Sequence, residues 1–435
     1  MSSTLLRPLG LGRSAPSDFL LATWDGGGHA GPMLSIAGAL LARGNAVRVL
    51  ADPVLRAEVE ASGATFVPWR RAPHRRDPSE RAGAVLREWE ARGPVQAAAR
   101  LRDALVCGAA ASFAEDVADE LRRRPADVVA ADHLLPGALV AGQAAGARTA
   151  AIATTLMGVP QWGVPASGGG LLPTRAPLGR LKGAAAARLL VRIWAAGLPA
   201  VNAARAAHGL DPVHDPIGIF AAWDRVLVLA SAGLELPTWS PPPHVRLVGA
   251  RLDDPAWASP WQSPDGDGSL VLVALSSSFM DQRDLLARAA AALGRLPVRG
   301  LVTTGPAIDP ADVPSPPNVA VVRSAPHSVV MRHASAVVTH AGHGTTAKAL
   351  AAGVPLVALP MGRDQPDIAA RVAFAGAGLR LPPGSSSARI ARAVQHLLDE
   401  PRYAEGARRV AAIMSEEGRQ DLAVAELEAL VVSAR

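Results

Sequence analysis

Apolar residues in this chain follow two rhythms. Short continuous runs of Val, Ile, Leu and Ala, closed by Gly, Pro or Asp, read as strands buried on both faces. Longer Ala-rich stretches of helical character separate them. In the first half the short runs predict strands at 18–24, 46–50, 64–69, 127–131, 148–153 and 225–229; in the second half they predict strands at 270–275, 300–303, 318–322, 336–339 and 356–359. This alternation is the pattern of parallel sheets covered by helices on both faces, an α/β fold. Around 237–267 it lapses into Pro, Asp, Gly, Ser and Trp, with three consecutive prolines at 241–243. That composition predicts a linker, and divides the chain into a first domain (1–237), the linker (238–267), a second domain (268–415) and a C-terminal helix (416–435) with the first domain as a packing partner. Two irregular stretches interrupt the first half. One, 70–80, is rich in Arg, Pro and His and predicts a surface loop; the other, 158–177, carries Gly168, Gly169 and Gly170 and is long enough to suggest a functional loop.

A length of 435 residues agrees with two doubly wound domains. In such sheets ligands sit beyond the carboxyl ends of the strands, so chemistry is expected in the loops facing the cleft between the domains. Composition then removes several functions. The 44 basic residues include only two lysines, Lys182 and Lys348, and neither stands in the Gly-Lys-Ser/Thr context of a P-loop. The sequence pI of about 10.6 raises nucleic-acid binding. Arginines spread along the chain and aromatics at 4% favour a solvated basic surface instead, with the arginines of the 70–80 loop as the one basic segment expected to reach a substrate. The single Cys107 can form neither an internal disulfide nor a multi-thiolate metal site and points to a reducing compartment. Residues 1–17 lack the continuous apolar core of a signal peptide, and no run of about 18 uncharged apolar residues occurs. The expectation is a cytoplasmic protein with no membrane span.

Three segments carry candidate chemistry. The first predicted strand runs into Trp24-Asp25-Gly26-Gly27-Gly28-His29-Ala30-Gly31-Pro32. Gly26, Gly28 and Gly31 fit a dinucleotide loop formally, with Asp52 near the place of an acidic ribose partner, but such a loop has no use for His29 at its tip. A histidine there suits a general base, or alternatively caps or packs against the helix that follows. The fourth strand ends in Asp132, which either orients that histidine or caps the next helix. The densest run is Thr339-His340-Ala341-Gly342-His343-Gly344-Thr345-Thr346, followed by Asp364-Gln365. It predicts a strand, a turn open to close ligand approach and a helix start, which together make a diphosphate cradle without a lysine. Asp364 and Gln365 offer a carboxylate and an amide suited to vicinal sugar hydroxyls, or form a polar turn. No Cys or acidic residue stands at ligand spacing from the two histidines, which speaks against a metal site.

The block HAGHGTTAKALAAGVPLVALPMGRDQPDIAARV, residues 340–372, together with GGGHAGP at 26–32 and LSSSF at 275–279, resembles the nucleotide-sugar-dependent glycosyltransferases of the GT-B fold. It is most similar to the bacterial natural-product branch, which shares its donor signature with UDP-glycosyltransferases. The resemblance implies two Rossmann-like domains facing each other across a cleft, the first binding an acceptor and the second a nucleotide sugar. It implies donor contacts from Ser277, His340, Gly342, His343, Gly344 and Thr345 to the diphosphate. Asp364 and Gln365 would hold the sugar, and the region of Arg323, Ala325 and His327 the base. His29 would be the catalytic base and Asp132 its partner. Ser276 replaces the family's usual Gly before Ser277, Ile368 stands where an Asn follows the Asp-Gln pair, and no Trp marks the base position.

The function implied is inverting, metal-independent transfer of a hexose or deoxyhexose from TDP- or UDP-sugar, used as a co-substrate with no further cofactor. The acceptor implied is a small hydrophobic polyketide, macrolide or aromatic aglycone, with Met157 and Trp162 as wall residues. A homodimer is left open. A sugar-nucleotide epimerase of the same fold and a non-catalytic nucleotide-sugar-binding partner protein are the rival readings. Glycosylation of a membrane lipid is a third, for which a patch combining arginine and apolar residues would be the structural sign.

Overall fold

The computed structural model describes residues 16–77, 85–87 and 90–432. Most of the 1–17 stretch, positions 78–80 of the basic loop and the last three residues of the C-terminal segment lie outside the described residues. The N-terminal sheet has seven strands: β1 (Asp18–Ala22), β2 (Ala46–Ala51), β3 (Thr65–Pro68), β4 (Val128–Asp132), β5 (Arg148–Ala153), β6 (Arg225–Val228) and β7 (Val245–Leu247). Their order is β3-β2-β1-β4-β5-β6-β7 and every pairing is parallel. The second sheet has six: β8 (Leu270–Ala274), β9 (Arg299–Thr303), β10 (Val319–Val322), β11 (Ala334–Thr339), β12 (Leu356–Ala358) and β13 (Gly378–Arg380). Its order, β10-β9-β8-β11-β12-β13, is again all parallel. These are two Rossmann-like doubly wound domains, the GT-B architecture.

The strands read as unbroken apolar runs because successive side chains point to opposite faces and both faces are covered. In β1, Phe19 and Leu21 pack on one side with the helix Ala30–Ala42, while Leu20 and Ala22 pack on the other with the helix Ala110–Arg123. The C-terminal helix Leu422–Val432 returns to the first domain. Its Val424, Leu427 and Leu430 join the Phe19 cluster, and Glu428 binds Arg43 at 2.8 Å and Asn45 at 2.9 Å.

Two strands escape the sequence pattern. β7 lies inside the expected linker and pairs with β6, so the first domain extends to Leu247 and the linker proper begins after it. β13 pairs with β12 at the far edge of the second sheet. Each is three residues long at a sheet edge, and one adjoins the 241–243 prolines while the other precedes Pro382 and Pro383. Neither gives a run that hydrophobic periodicity can register.

Candidate active site

In doubly wound sheets the crevice opens where strand order reverses, outside the carboxyl ends of the two strands that flank the reversal. The first domain reverses between β1 and β4, the second between β8 and β11. His29 follows β1 and Asp132 ends β4; Ser277 follows β8 and His340 follows β11. The two crevices face each other across one cleft of ≈ 1840 Å³. His29, Met157, Ser277, Arg323, Ala325, His327, His340, Gly342, His343, Gly344, Thr345, Asp364 and Gln365 all line it. Asp132 sits directly behind His29, fully buried.

His29 Nδ1 lies 2.6 Å from Asp132 Oδ2, with the Thr154 hydroxyl 3.1 Å from the same nitrogen. The other carboxylate oxygen accepts the Leu134 N–H at 2.9 Å and faces His133 Nδ1 at 3.3 Å. Burial pushes the Asp132 carboxyl up, but the charge and hydrogen bonds of His29 and His133 outweigh it and hold the group well below the usual carboxylate range. An ionised carboxylate only accepts, so Nδ1 carries the proton and Nε2 is left with its lone pair for a substrate. The helix-cap alternative for His29 does not hold: it makes no side-chain cap, and its ring lies 5.0 Å from that of Trp24. A Cβ at Gly26 would meet the Trp24 ring at 2.4 Å and His29 Cδ2 at 2.7 Å, so the glycine there makes room for the imidazole. Asp52, the formal ribose partner, is buried outside the cleft lining. It accepts the N–H groups of Asp25 (3.0 Å) and Arg75 (2.6 Å), tying the His29 loop to the basic loop, and burial pushes its carboxyl up to about 6.

On the facing side, β11 delivers His340 to a turn in which buried Ala341 takes φ +66°, a left-handed conformation uncommon for a residue with a Cβ. Gly342 follows, and a Cβ there would stand 2.5 Å from His340 Nε2, so the ring lies over the glycine at the start of the helix His343–Ala351. No side chain caps this helix, and its first N–H groups, with the Thr345 hydroxyl, open on the cleft. Burial pushes His340 down to about 4, keeping it neutral, and lowers His343, whose Nε2 is buried without a partner. His327 is likewise pushed down to about 4 by burial and the Lys348 charge, with Nε2 3.0 Å from Thr303 Oγ1. Gln282 organises the β8 loop: its amide donates to the Ser276 and Ser278 carbonyls at 3.0 and 3.2 Å.

Across the cleft, the Thr155 hydroxyl donates to Asp364, Ser277 Oγ to the Gly27 carbonyl at 3.4 Å and Arg363 to the Gly26 carbonyl at 3.3 Å. The long glycine loop docks on the second domain, where Asp367 accepts Gly168 N–H at 2.5 Å and Gly170 N–H at 2.7 Å.

Several expectations change. Trp162 is not a wall residue: it is buried in the first domain's core outside the cleft lining, with its carbonyl accepting Ser240 N–H at 2.7 Å. Gln365 is only partly available, because its Oε1 already accepts the Met361 and Gly362 N–H groups at 2.8 and 3.1 Å. Arg75 of the basic loop lines the cleft, and the rest of the basic surplus is not confined to the surface either, since Arg251, Arg363 and Arg380 line it too. Sequence reasoning missed Thr154, Thr155 and His133. All three directly follow the ends of β4 and β5, so the carboxyl-edge rule applied to every strand would have found them. Among the described residues no group of three or more His, Cys, Asp or Glu is arranged to hold a metal.

Known proteins resemble this chain. Residues 300–430 match the family described as erythromycin biosynthesis protein CIII-like, C-terminal domain. The chain is 32% identical over 403 residues to 4'-demethylrebeccamycin synthase of Lentzea aerocolonigenes, covering 88% of this chain and 92% of that protein. It belongs to the natural-product glycosyltransferases of the GT-B fold. Oleandomycin glycosyltransferase of Streptomyces antibioticus is 35% identical to this glycosyltransferase over 189 residues, 42% of this chain and 44% of its own. The crystal structure of the glycotransferase of kitacinnamycin superposes with a TM-score of 0.76 at 22% identity, over 96% of this chain and 100% of that one. No single helix among the described residues of the glycosyltransferase is long and apolar enough to cross a membrane.

Proposed function

We propose that this glycosyltransferase transfers a hexose or deoxyhexose from a TDP- or UDP-sugar to a hydroxyl of a small hydrophobic natural product, with inversion at the anomeric carbon. The observation that carries the reading is the His29–Asp132 pair facing the His340–Thr345 cradle across a single cleft. His29 Nε2 removes the acceptor O–H proton while the ionised Asp132 stabilises the imidazolium that forms. The acceptor oxygen attacks the anomeric carbon, and the bond from that carbon to the β-phosphate oxygen breaks with its electron pair on the phosphate. Attack from the face opposite the leaving group inverts the centre. The charge that develops on the diphosphate is met by neutral His340 and the helix N-terminus at Gly342–Thr345, a preorganised electrostatic stabilisation, and no step is routed through a metal. Asp364 exchanges its Thr155 contact for a sugar hydroxyl. The acceptor lies among the apolar walls of the first domain, where Leu101, Met157, Ile193, Trp194 and Phe220 line the cleft.

The direct test is His29→Ala assayed for transfer to an accepted aglycone. The expected loss in kcat is about 10²–10⁴-fold; near-wild-type turnover would remove His29 from the mechanism.

A further inference from the structure

We propose that the outer face of the helix Pro177–Ala195 docks on an anionic lipid bilayer, turning the apolar mouth of the cleft toward the membrane surface. Leu178, Leu181, Ala185 and Leu189 recur at helical spacing along this helix, which is about 28 Å long. All four are exposed, Leu178 and Leu181 at 64% and Leu189 at 45%. Exposed leucines in such numbers on one helix need a covering.

The charges around them decide which covering. Arg175, Arg180, Lys182, Arg188 and Arg192 are all exposed; at helical spacing Lys182, Arg188 and Arg192 flank or punctuate the apolar stripe, while Arg175 precedes the helix and Arg180 lies on its other side. No Asp or Glu occurs between His133 and Leu210. Many arginines elsewhere have an acidic partner, among them Arg48 with Asp18 and Glu120, Arg251 with Asp421, and Arg43 with Glu428. None of the five cations here has an ion-pair partner among the described residues. An apolar stripe rimmed by unpaired, long-stemmed cations fits a bilayer interface, with leucines among the acyl chains and basic heads at anionic phosphates.

The inner side of the same helix is cleft wall: Ala186, Leu190, Ile193 and Trp194 line the cavity, and Leu189 belongs to both surfaces. Val95, on the neighbouring helix Pro94–Leu101, lines the cavity and is 47% exposed. Apolar surface therefore continues from outside into the cleft. The following helix, Leu198–Ala207, buries Val201 and Ala204 in the first domain's core, so the pair lies on a bilayer rather than passing through it. Entry of an acceptor from the lipid phase rests on the reading of the cleft given above; the docking itself does not.

The experiment is co-sedimentation of the full chain with vesicles of phosphatidylglycerol and phosphatidylcholine, against phosphatidylcholine alone, at low and high salt. The expected result is binding to the anionic vesicles that weakens with salt. Leu178→Gln/Leu181→Gln should weaken it more than tenfold, and Lys182→Gln/Arg188→Gln/Arg192→Gln by about fivefold per cation removed. Both variants should keep the wild-type circular dichroism and, in lipid-free buffer, transfer to a water-soluble acceptor. His29→Ala should bind vesicles like wild type, which separates failure of the docking from failure of the catalytic reading. Wild-type protein that stays in the supernatant with anionic vesicles at low salt, or variants that sediment as wild type does, would overturn the proposal. So would a lipid-free dimer abolished by the leucine substitutions, which would assign the face to a second copy of the chain.

Discussion

The two crevices of this glycosyltransferase share a topology and differ in chemistry. Each opens at a strand-order reversal and places a histidine after a central strand. In the first domain His29 Nδ1 is hydrogen-bonded to a buried, ionised carboxylate. In the second, His340 is buried with no carboxylate hydrogen-bonded to it and is held neutral. A polar, charge-paired site suits an imidazole that must gain a proton; a dry site beside a helix N-terminus suits one that donates to an anion while staying neutral. Backbone strain divides the same way. Of the four non-glycine residues with positive φ among those described, Asp281, Ala341 and Arg363 lie in the loops after β8, β11 and β12, and only Arg87 lies in the first domain. The second-domain loops thus carry most of the non-glycine backbone strain, in addition to side-chain hydrogen bonds such as those of Gln282 and Gln365.

This contrast can be broken at several points. Asp132→Asn keeps the shape behind His29 but removes the charge and the tautomer preference. We expect kcat to fall by about 10²–10⁴-fold with calorimetric nucleotide affinity unchanged; a parallel loss of affinity would show that the two sides are not separable. Gly342→Ala places a methyl 2.5 Å from His340 Nε2. It should weaken nucleotide binding by about tenfold or more, and an unchanged dissociation constant would remove that ring from the diphosphate site. Thr154→Val deletes one neutral hydrogen bond to His29 and should lower kcat only about 2–10-fold.

A separate effect is expected on stability in acid. His340 and His327 titrate near 4 in the folded chain and near 6.5 unfolded. Between those values the unfolded state binds more protons, so their contribution is lost as pH falls from 6.5 to 4. Asp52, raised to about 6, acts oppositely: its folded form takes up a proton first, so acid favours folding at that site between 6 and 3.8. Thermal midpoints of His340→Gln should therefore fall less than wild type over pH 6.5–4, and those of Asp52→Asn should fall more. Identical slopes would contradict the assignment of these buried groups.

Much of this was legible in the sequence because buried parallel strands are continuous apolar runs, and because the His340–Thr345 block joins a strand end, glycines and a helix start in one local segment. Asp132 was readable only as a candidate, since its meeting with His29 depends on β1 and β4 being neighbours, a pairing across 103 positions of chain. Trp162 was misplaced because an aromatic in an irregular loop looks the same whether it faces a cleft or, as here, the core. Asp367 was invisible for a related reason: its partners Gly168 and Gly170 lie in the other domain, and no local pattern records how two sheets face each other.

The account stands on a division of labour between the two crevices. Its most direct test measures turnover and nucleotide dissociation constant on His29→Ala and His340→Ala side by side. The account predicts that His29→Ala loses turnover at unchanged nucleotide affinity, while His340→Ala binds nucleotide more weakly. Loss of nucleotide affinity in His29→Ala, or unchanged affinity in His340→Ala, would contradict it.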